Sequence, residues 1–357
     1  MKYFILLLFF ALISASYADS YKPAASETLV IGSALPLTEE MAAIMQRVSK
    51  QPADNDLLTL TALYLQGARQ PGYDSWFHEA EYWLSKVSVA NHANIEYQLL
   101  AADLKQQQHQ FDAALARLEQ VFKLQPHHLT ASLMAARIYL ATAQHQAAQD
   151  ACARLWQQDL FLFSVCSYEV AGRKGNWQQS YTALQTLYQR QQSLPITIEL
   201  WLRGILAEQA EQTGQLAQAR DCLNPVLAQA PTSLWLKWAD LSLALADDEL
   251  VYQQLMPKHQ QLALADSLLV RLAAAEQNLN KGTIISTELA QSVKLRLARG
   301  DTDHAADIAH YYLKVNPDAE AALHWAELNY LSAKEPDDLM LLQQSKAALR
   351  QQKRKTL

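Results

Sequence analysis

Residues 95–128 read IEYQLLAADLKQQQHQFDAALARLEQVFKLQPHH and residues 129–160 read LTASLMAARIYLATAQHQAAQDACARLWQQDL, one helix-turn-helix written twice between Ile95 and Leu160. At a step of 34, Phe111, Ala114, Leu118, Val121 and Phe122 fall on His145, Ala148, Cys152, Leu155 and Trp156. A fixed period of this size identifies a helical solenoid, in which each unit buries its apolar face against the next.

The composition agrees. The chain has 357 residues, 50% of them hydrophobic, and only 9 glycines. It is long and apolar enough for a large core, and glycine far below the usual roughly 7% argues against a turn-dense β architecture. Ala, Leu and Gln, all good helix formers, dominate. Net charge is −6. A protein that grips phosphate backbones usually carries a basic excess, so nucleic acid is not expected as the principal partner.

The first residues predict export. Met1-Lys2 is a short positive start, Tyr3 to Ala15 is almost wholly apolar, and Ser16-Tyr17-Ala18 places small residues before Asp19. This is the pattern of a cleaved signal peptide over residues 1–18. The apolar run is shorter than the roughly 20 residues a membrane helix needs. No cysteine lies near the cleavage site, so a lipoprotein is not expected. The expected location is the periplasm.

The two copies resemble tetratricopeptide repeats. Small residues stand where paired helices cross: Ala101, Ala102 and Ala114 in the first unit, Ala135, Ala136 and Ala148 in the second. Pro126 closes the first unit. Close approach of helix axes, about 8–10 Å, requires such small contacts. The repeats are divergent, with Gln98 and Ser132 where the family often has tryptophan. The resemblance implies an all-α fold, a right-handed superhelical solenoid of antiparallel helix pairs.

Along the chain, residues 19–36 read as an extended leader and 37–232 as the repeat array, opened by Thr38 as a helix cap and continued by a helix capped by Asp54. Residues 70–74 form an enlarged turn, and Pro225 interrupts a second helix. Gly175, Gly214 and Gly300 are expected to mark one recurrent turn. Register weakens over 233–282, read either as an irregular repeat with an extra helix or as a hinge, with a helix ending at Pro257. Repeats resume over 283–349, and residues 350–357 form a basic tail for which membrane contact is a minor expectation.

No phosphate loop, nucleophile elbow or paired-cysteine zinc motif occurs, and helical-pair patterning leaves no room for a catalytic domain. No enzyme activity, cofactor or metal is expected. Asp303, His304 and Asp307 read as the polar start of a helix. Cys152 and Cys166 lie about equally far from the turn near Asp159-Leu160, which places them either as a disulfide across two packed helices or as small apolar packing residues.

The resemblance implies that the concave face carries recognition. Its positions hold Asp103, Arg137, Glu169 and Glu208, with Lys294 further on, then Gln107, Arg173, Glu211 and Gln212, and the apolar Leu133, Val165 and Trp201. Such a polar row suits an extended peptide, whose backbone groups need hydrogen-bond partners. The expectation is therefore a non-enzymatic periplasmic scaffold or adaptor for a protein or peptide partner, with an envelope assembly role. The competing class is an accessory protein of an envelope enzyme or metal-handling system. Self-association through open repeat ends is a further expectation.

Overall fold

The computed structural model describes residues 35–355, so the signal peptide and nearly all of the leader lie outside the described residues. Among the described residues there are eighteen α-helices and no strand. The chain runs α1 (Glu39–Lys50), α2 (Asp54–Ala68), α3 (Trp76–Ser85), α4 (Ile95–Gln107), α5 (Phe111–Leu124), α6 (Leu129–Ala141), α7 (His145–Ala153), α8 (Leu160–Arg173) and α9 (Trp177–Gln189). It continues with α10 (Ile196–Gln212), α11 (Leu216–Leu223), α12 (Thr232–Ala244), α13 (Asp248–Leu262), α14 (Asp266–Asn278), α15 (Ile284–Arg299), α16 (Ala305–Lys314), α17 (Ala319–Ser332) and α18 (Pro336–Lys355). Short 3₁₀ turns at Val89–Asn91 and Asn224–Gln229 complete it, the second beginning just before Pro225, where the proline cannot donate to the ladder.

Even-numbered helices from α2 to α18 form an inner layer, and odd-numbered helices from α3 pack outside them. The crossing alanines explain the pairing: Ala102, Ala114 and Ala148 are fully buried and Ala136 is 2% exposed. Helix starts follow their capping chemistry. Thr38 Oγ1 accepts from the Met41 amide at 3.1 Å, and Asp159 Oδ1 accepts from the Leu162 amide at 2.9 Å. Asp54 does not cap its helix: it is the first helical residue, and its carboxylate accepts from Ser88 and Asn91 instead.

Each inner helix from α4 to α14 turns outward through one residue at positive φ: His109, Ala143, Gly175, Gly214, Ala246 and Asn280. The next amide then bonds back to a carbonyl inside the helix, as Gln144 N to Tyr139 O and Asp247 N to Ser242 O, which satisfies helix-end acceptors. Gly300 is not part of this series. It ends the outer helix α15, and Asn280 holds the equivalent place.

Over residues 233–282, read as an irregular repeat with an extra helix or as a hinge, α12, α13 and α14 continue the inner-outer alternation. Pro257 sits within α13, which runs on to Leu262. Trp235, Trp238, Leu255, Leu268 and Leu272 join one core that extends from Val165 on α8 to Val315 after α16. Smaller cores fill α1 to α4, α4 to α8, and α16 to α18.

The array also curls onto itself. Thr232, opening α12, donates its amide (2.7 Å) and hydroxyl (3.0 Å) to the carbonyl of Arg69, just after α2. Beside this contact Gly72, at φ +86°, approaches so closely that a Cβ there would lie 2.5 Å from Leu262 Cβ. Across the coil, the Lys334 amide donates to Ala141 O at 2.9 Å.

Cys152 on α7 and Cys166 on α8 are joined by a disulfide, with Cα atoms 5.7 Å apart and a sequence separation of 14. Closing a loop of this size removes denatured-state entropy worth about 3 kcal/mol. Reduction by dithiothreitol is expected to lower the urea midpoint of unfolding accordingly, and an unchanged midpoint would argue against the bond. At Ala246, an alanine in the left-handed region costs about 1–2 kcal/mol, partly offset by the entropy a glycine would lose. Ala246→Gly is therefore expected to stabilise the chain by about 0.5–1 kcal/mol in the same measurement.

Candidate functional site

The polar row on the inner helices is an ion-pair ladder. Arg69 Nη2 meets both oxygens of Asp103 at 2.5 and 2.6 Å, joining the end of α2 to α4. Arg173 on α8 grips Glu208 on α10 with Nε at 2.7 Å and Nη2 at 2.6 Å. Lys237 on α12 reaches back to Glu211 at 2.5 Å. Asp240, also on α12, takes Arg271 of α14 at 2.6 Å and Lys314 of α16 at 2.6 Å. Most rungs span about one repeat, so each charge is answered by an adjacent inner helix. Two-pronged Arg–carboxylate bonds of this kind are the strong form of the interaction.

The ladder is buried, and burial shows in the titration. Desolvation pushes the Glu208 carboxyl up to about 7, against the opposing pull of Arg173 and Lys237. Glu169 and Glu211 are raised for the same reason. Asp240 is also desolvated, but Arg271 and Lys314 together hold it well below the usual carboxylate range. His310 is driven well below the usual imidazole value by burial and by Arg271 and Lys314. Its Nε2 lies 3.1 Å from Arg271 Nη2 and so accepts from it, leaving Nδ1 to carry the proton.

The structure brings Glu169, Arg173, Trp201, Glu208 and Glu211 together at the centre of this face. Trp201 Nε1 donates to Glu169 Oε2 at 3.2 Å. Arg173 is the focus: its side chain is 9% exposed, and Nη1 is buried with no hydrogen-bond partner among the described residues. Arg137 stands exposed beside Glu169, while Gln107, Leu133 and Gln212 are half-buried. Val165 is fully buried in the core between α8 and α10 and offers nothing to a ligand. Lys294 lies on the outer helix α15, away from the inner face.

Sequence reasoning missed Lys237, Asp240, Arg271, His310 and Lys314, because the segment that holds the first three was read as irregular. The spacing of 31 between Asp240 and Arg271, close to the 35 between Arg173 and Glu208, was the available signal. His304 and Asp301 form a local pair at 2.9 Å. Among the described residues no group of three or more His, Cys, Asp or Glu side chains is placed to hold a metal.

A second segment of the chain closes over this site. Between α17 and α18, Glu335 Oε1 lies 3.5 Å from Arg173 Nη2, and Asp337 pairs with Lys237. The inner face is thus largely satisfied from within; among the described residues Arg173 Nη1, Gln98 Oε1, Gln209 Oε1 and His310 Nδ1 are buried there without a hydrogen-bond partner, and Arg137 stands exposed.

Residues 106–160 match the tetratricopeptide repeat family. A tetratricopeptide repeat protein from Parabacteroides merdae ATCC 43184 is similar in structure, with 15% identity and a TM-score of 0.47 over 65% of this chain and 89% of that one. The APC/C hetero-tetramer Cut9-Hcn1 gives 15% identity and a TM-score of 0.37 over 87% and 67%. No curated protein sequence matches the chain.

A group whose carboxyl is raised in the folded state binds extra protons there between its ordinary range, about 4.3, and its folded value. For Glu208 the stabilisation is complete below that range and is lost as pH rises through about 7. Stability should therefore fall from pH 5 to 7.5. Glu208→Gln is expected to flatten this slope without abolishing it, since Glu169 and Glu211 are raised too, as urea unfolding at a series of pH values will show.

Proposed function

We propose that the chain, in which residues 106–160 match the tetratricopeptide repeat family, is a non-enzymatic scaffold of divergent repeats, exported to the periplasm, that holds a protein partner of the cell envelope. Arrays of these repeats serve protein–protein interaction, and their members are generally not enzymes. The export pattern of residues 1–18 supports the compartment, and the disulfide suits an oxidising one.

The observation that carries the reading is the incomplete pairing of Arg173. A buried guanidinium nitrogen without an acceptor is costly, and it marks this stretch of the inner face as the place where the ladder's own pairing is incomplete. Exposed Arg137 and half-buried Trp201 and Leu133 flank it, giving charge and apolar area on one face. The accessible recognition surface is therefore the stretch where α6, α8 and α10 adjoin.

A second reading, self-association, is favoured by an exposed apolar edge where α5 and α7 end. Leu124 is 61% exposed, and Trp156 and Leu160 are each 58% exposed. Arg154 ties these loops together, stacking over Phe122 at 4.3 Å and donating to Pro126 O at 2.8 Å. Apolar area of this kind on a surface edge marks contact with another protein.

Immobilised protein of residues 19–357 should retain a specific partner from an envelope extract, identified by mass spectrometry. Arg137→Glu, an exposed change that leaves the core intact, is expected to abolish that retention. Equal retention by both forms would sink the inner-face reading. Retention of a second copy of the chain, lost on Trp156→Glu, would favour self-association instead.

A further inference from the structure

Five large apolar side chains stand exposed along one rim of the array, where each outer helix hands over to the next inner one. Val89 lies between α3 and α4 and is 81% exposed, Leu124 ends α5, Trp156 follows α7, Leu160 opens α8, and Ile196 opens α10 at 40% exposed. These four successive corners lie at the same end of their helices. On the opposite rim of the same repeats, residues 69–75, 108–110, 142–144 and 174–176, no large hydrophobic among the described residues is exposed. In the second half of the chain the corresponding corners are covered. There Leu227, Ala230, Leu264 and Ala333 are buried, Thr232 and Lys334 bond the carbonyls of Arg69 and Ala141, and Leu262 packs on Gly72. The rim of the first half is left as a free edge of the coil.

This edge is also cationic, in a chain whose net charge is −6. Lys86, Lys123, Arg154 and Arg190 stand one at each corner. Lys86 rests over the Tyr82 ring at 4.7 Å, Arg154 over Phe122, and Lys123 bonds the Gln120 amide oxygen at 3.2 Å, so none of these three is answered by an acid. On the inner face, by contrast, each cation of the ladder meets a carboxylate. Of the acids near the rim, Asp159 accepts from the Leu162 amide and Asp54 from Ser88 and Asn91, while Glu96 stands exposed at the start of α4. Apolar and aromatic side chains interleaved with unanswered cations suit a membrane interface, where rings and methylene stems sit at headgroup level and the charges meet phosphate. A second copy of the chain fits less well, because a two-fold contact through this rim would set its cations against themselves.

We propose that this rim docks the protein on an anionic phospholipid surface. The five apolar side chains enter the boundary between headgroups and acyl chains, and the four cations lie at the lipid phosphates. No helix of the described residues is long and apolar enough to cross a membrane, so the attachment is peripheral, and its charge component weakens with salt. The inner face takes no part, and the inference therefore stands apart from the scaffold reading. It claims the edge that self-association would use.

The test is co-sedimentation of the mature chain, residues 19–357, with vesicles of equal parts phosphatidylglycerol and phosphatidylcholine. Binding is expected at low salt, and on vesicles of phosphatidylcholine alone it should be weaker by about tenfold or more, each cation near the surface being worth about fivefold. Lys86→Glu with Arg190→Glu, and separately Leu124→Ser with Trp156→Ser, are exposed changes expected to weaken binding to the anionic vesicles by about tenfold. Lys174→Glu, on the opposite rim, should leave it unchanged, and circular dichroism will show that each variant keeps its helices. Failure of the native chain to sediment, or equal binding to both kinds of vesicle, would overturn the proposal. So would an equal loss with Lys174→Glu, or a loss seen only when residues 350–357 are removed. A dimer in light scattering that Trp156→Ser abolishes, without vesicle binding, would assign the edge to a second copy instead. Retention of an envelope partner through Arg137 is read separately, so the scaffold reading and this one can fail independently.

Discussion

From α8 to α16 most charges on the inner helices are too deeply buried to remain solvated, so each must be answered from a neighbouring repeat. Removing one member of such a pair strands the other, which costs roughly 3–5 kcal/mol. Asp103 with Arg69, Glu208 with Arg173, Glu211 with Lys237, and Asp240 with Arg271 and Lys314 all obey the requirement. The crossing alanines set how near the helices come, but apolar contact alone tolerates sliding. The ladder allows one register, because a slip of a single residue would turn Arg173 or Arg271 away from its acid.

The alternation of helices was legible in the sequence wherever its signals were local. Ala102, Ala114, Ala136 and Ala148 occupy the crossings that their period assigned, and Asp159 caps α8. Glycine was a poorer guide. The left-handed turn is set by the end of the inner helix, not by residue type, and His109, Ala143, Ala246 and Asn280 fill it as well as Gly175 and Gly214 do. Gly300, counted into that series, instead ends the outer helix α15, and Asn280 holds the equivalent place after α14.

The inner face was half legible. A period of 34 placed Asp103, Arg137, Glu169 and Glu208 in one row, yet the period says nothing of whether such residues face a ligand or each other. Opposite charges one repeat apart were the sign that they pair. The contacts of Thr232 with Arg69 and of Lys334 with Ala141 had no signal at all, since they join residues far apart in sequence through backbone atoms. They depend on the accumulated curvature of many repeats, which small departures at each turn decide.

Self-pairing also limits what the scaffold can recognise. Where a rung is complete, as at Asp103 or Asp240, an incoming group would have to break two good bonds to form one, and discrimination there works against binding. Where it is incomplete, the exchange favours a ligand. Arg173 spends Nε and Nη2 on Glu208 and leaves Nη1 unused, and Arg137 leans toward Glu169 without a bond of its own to it. The rest of the ladder fixes these two groups in place, so under the proposed scaffold reading specificity would arise where the pairing of the array runs out.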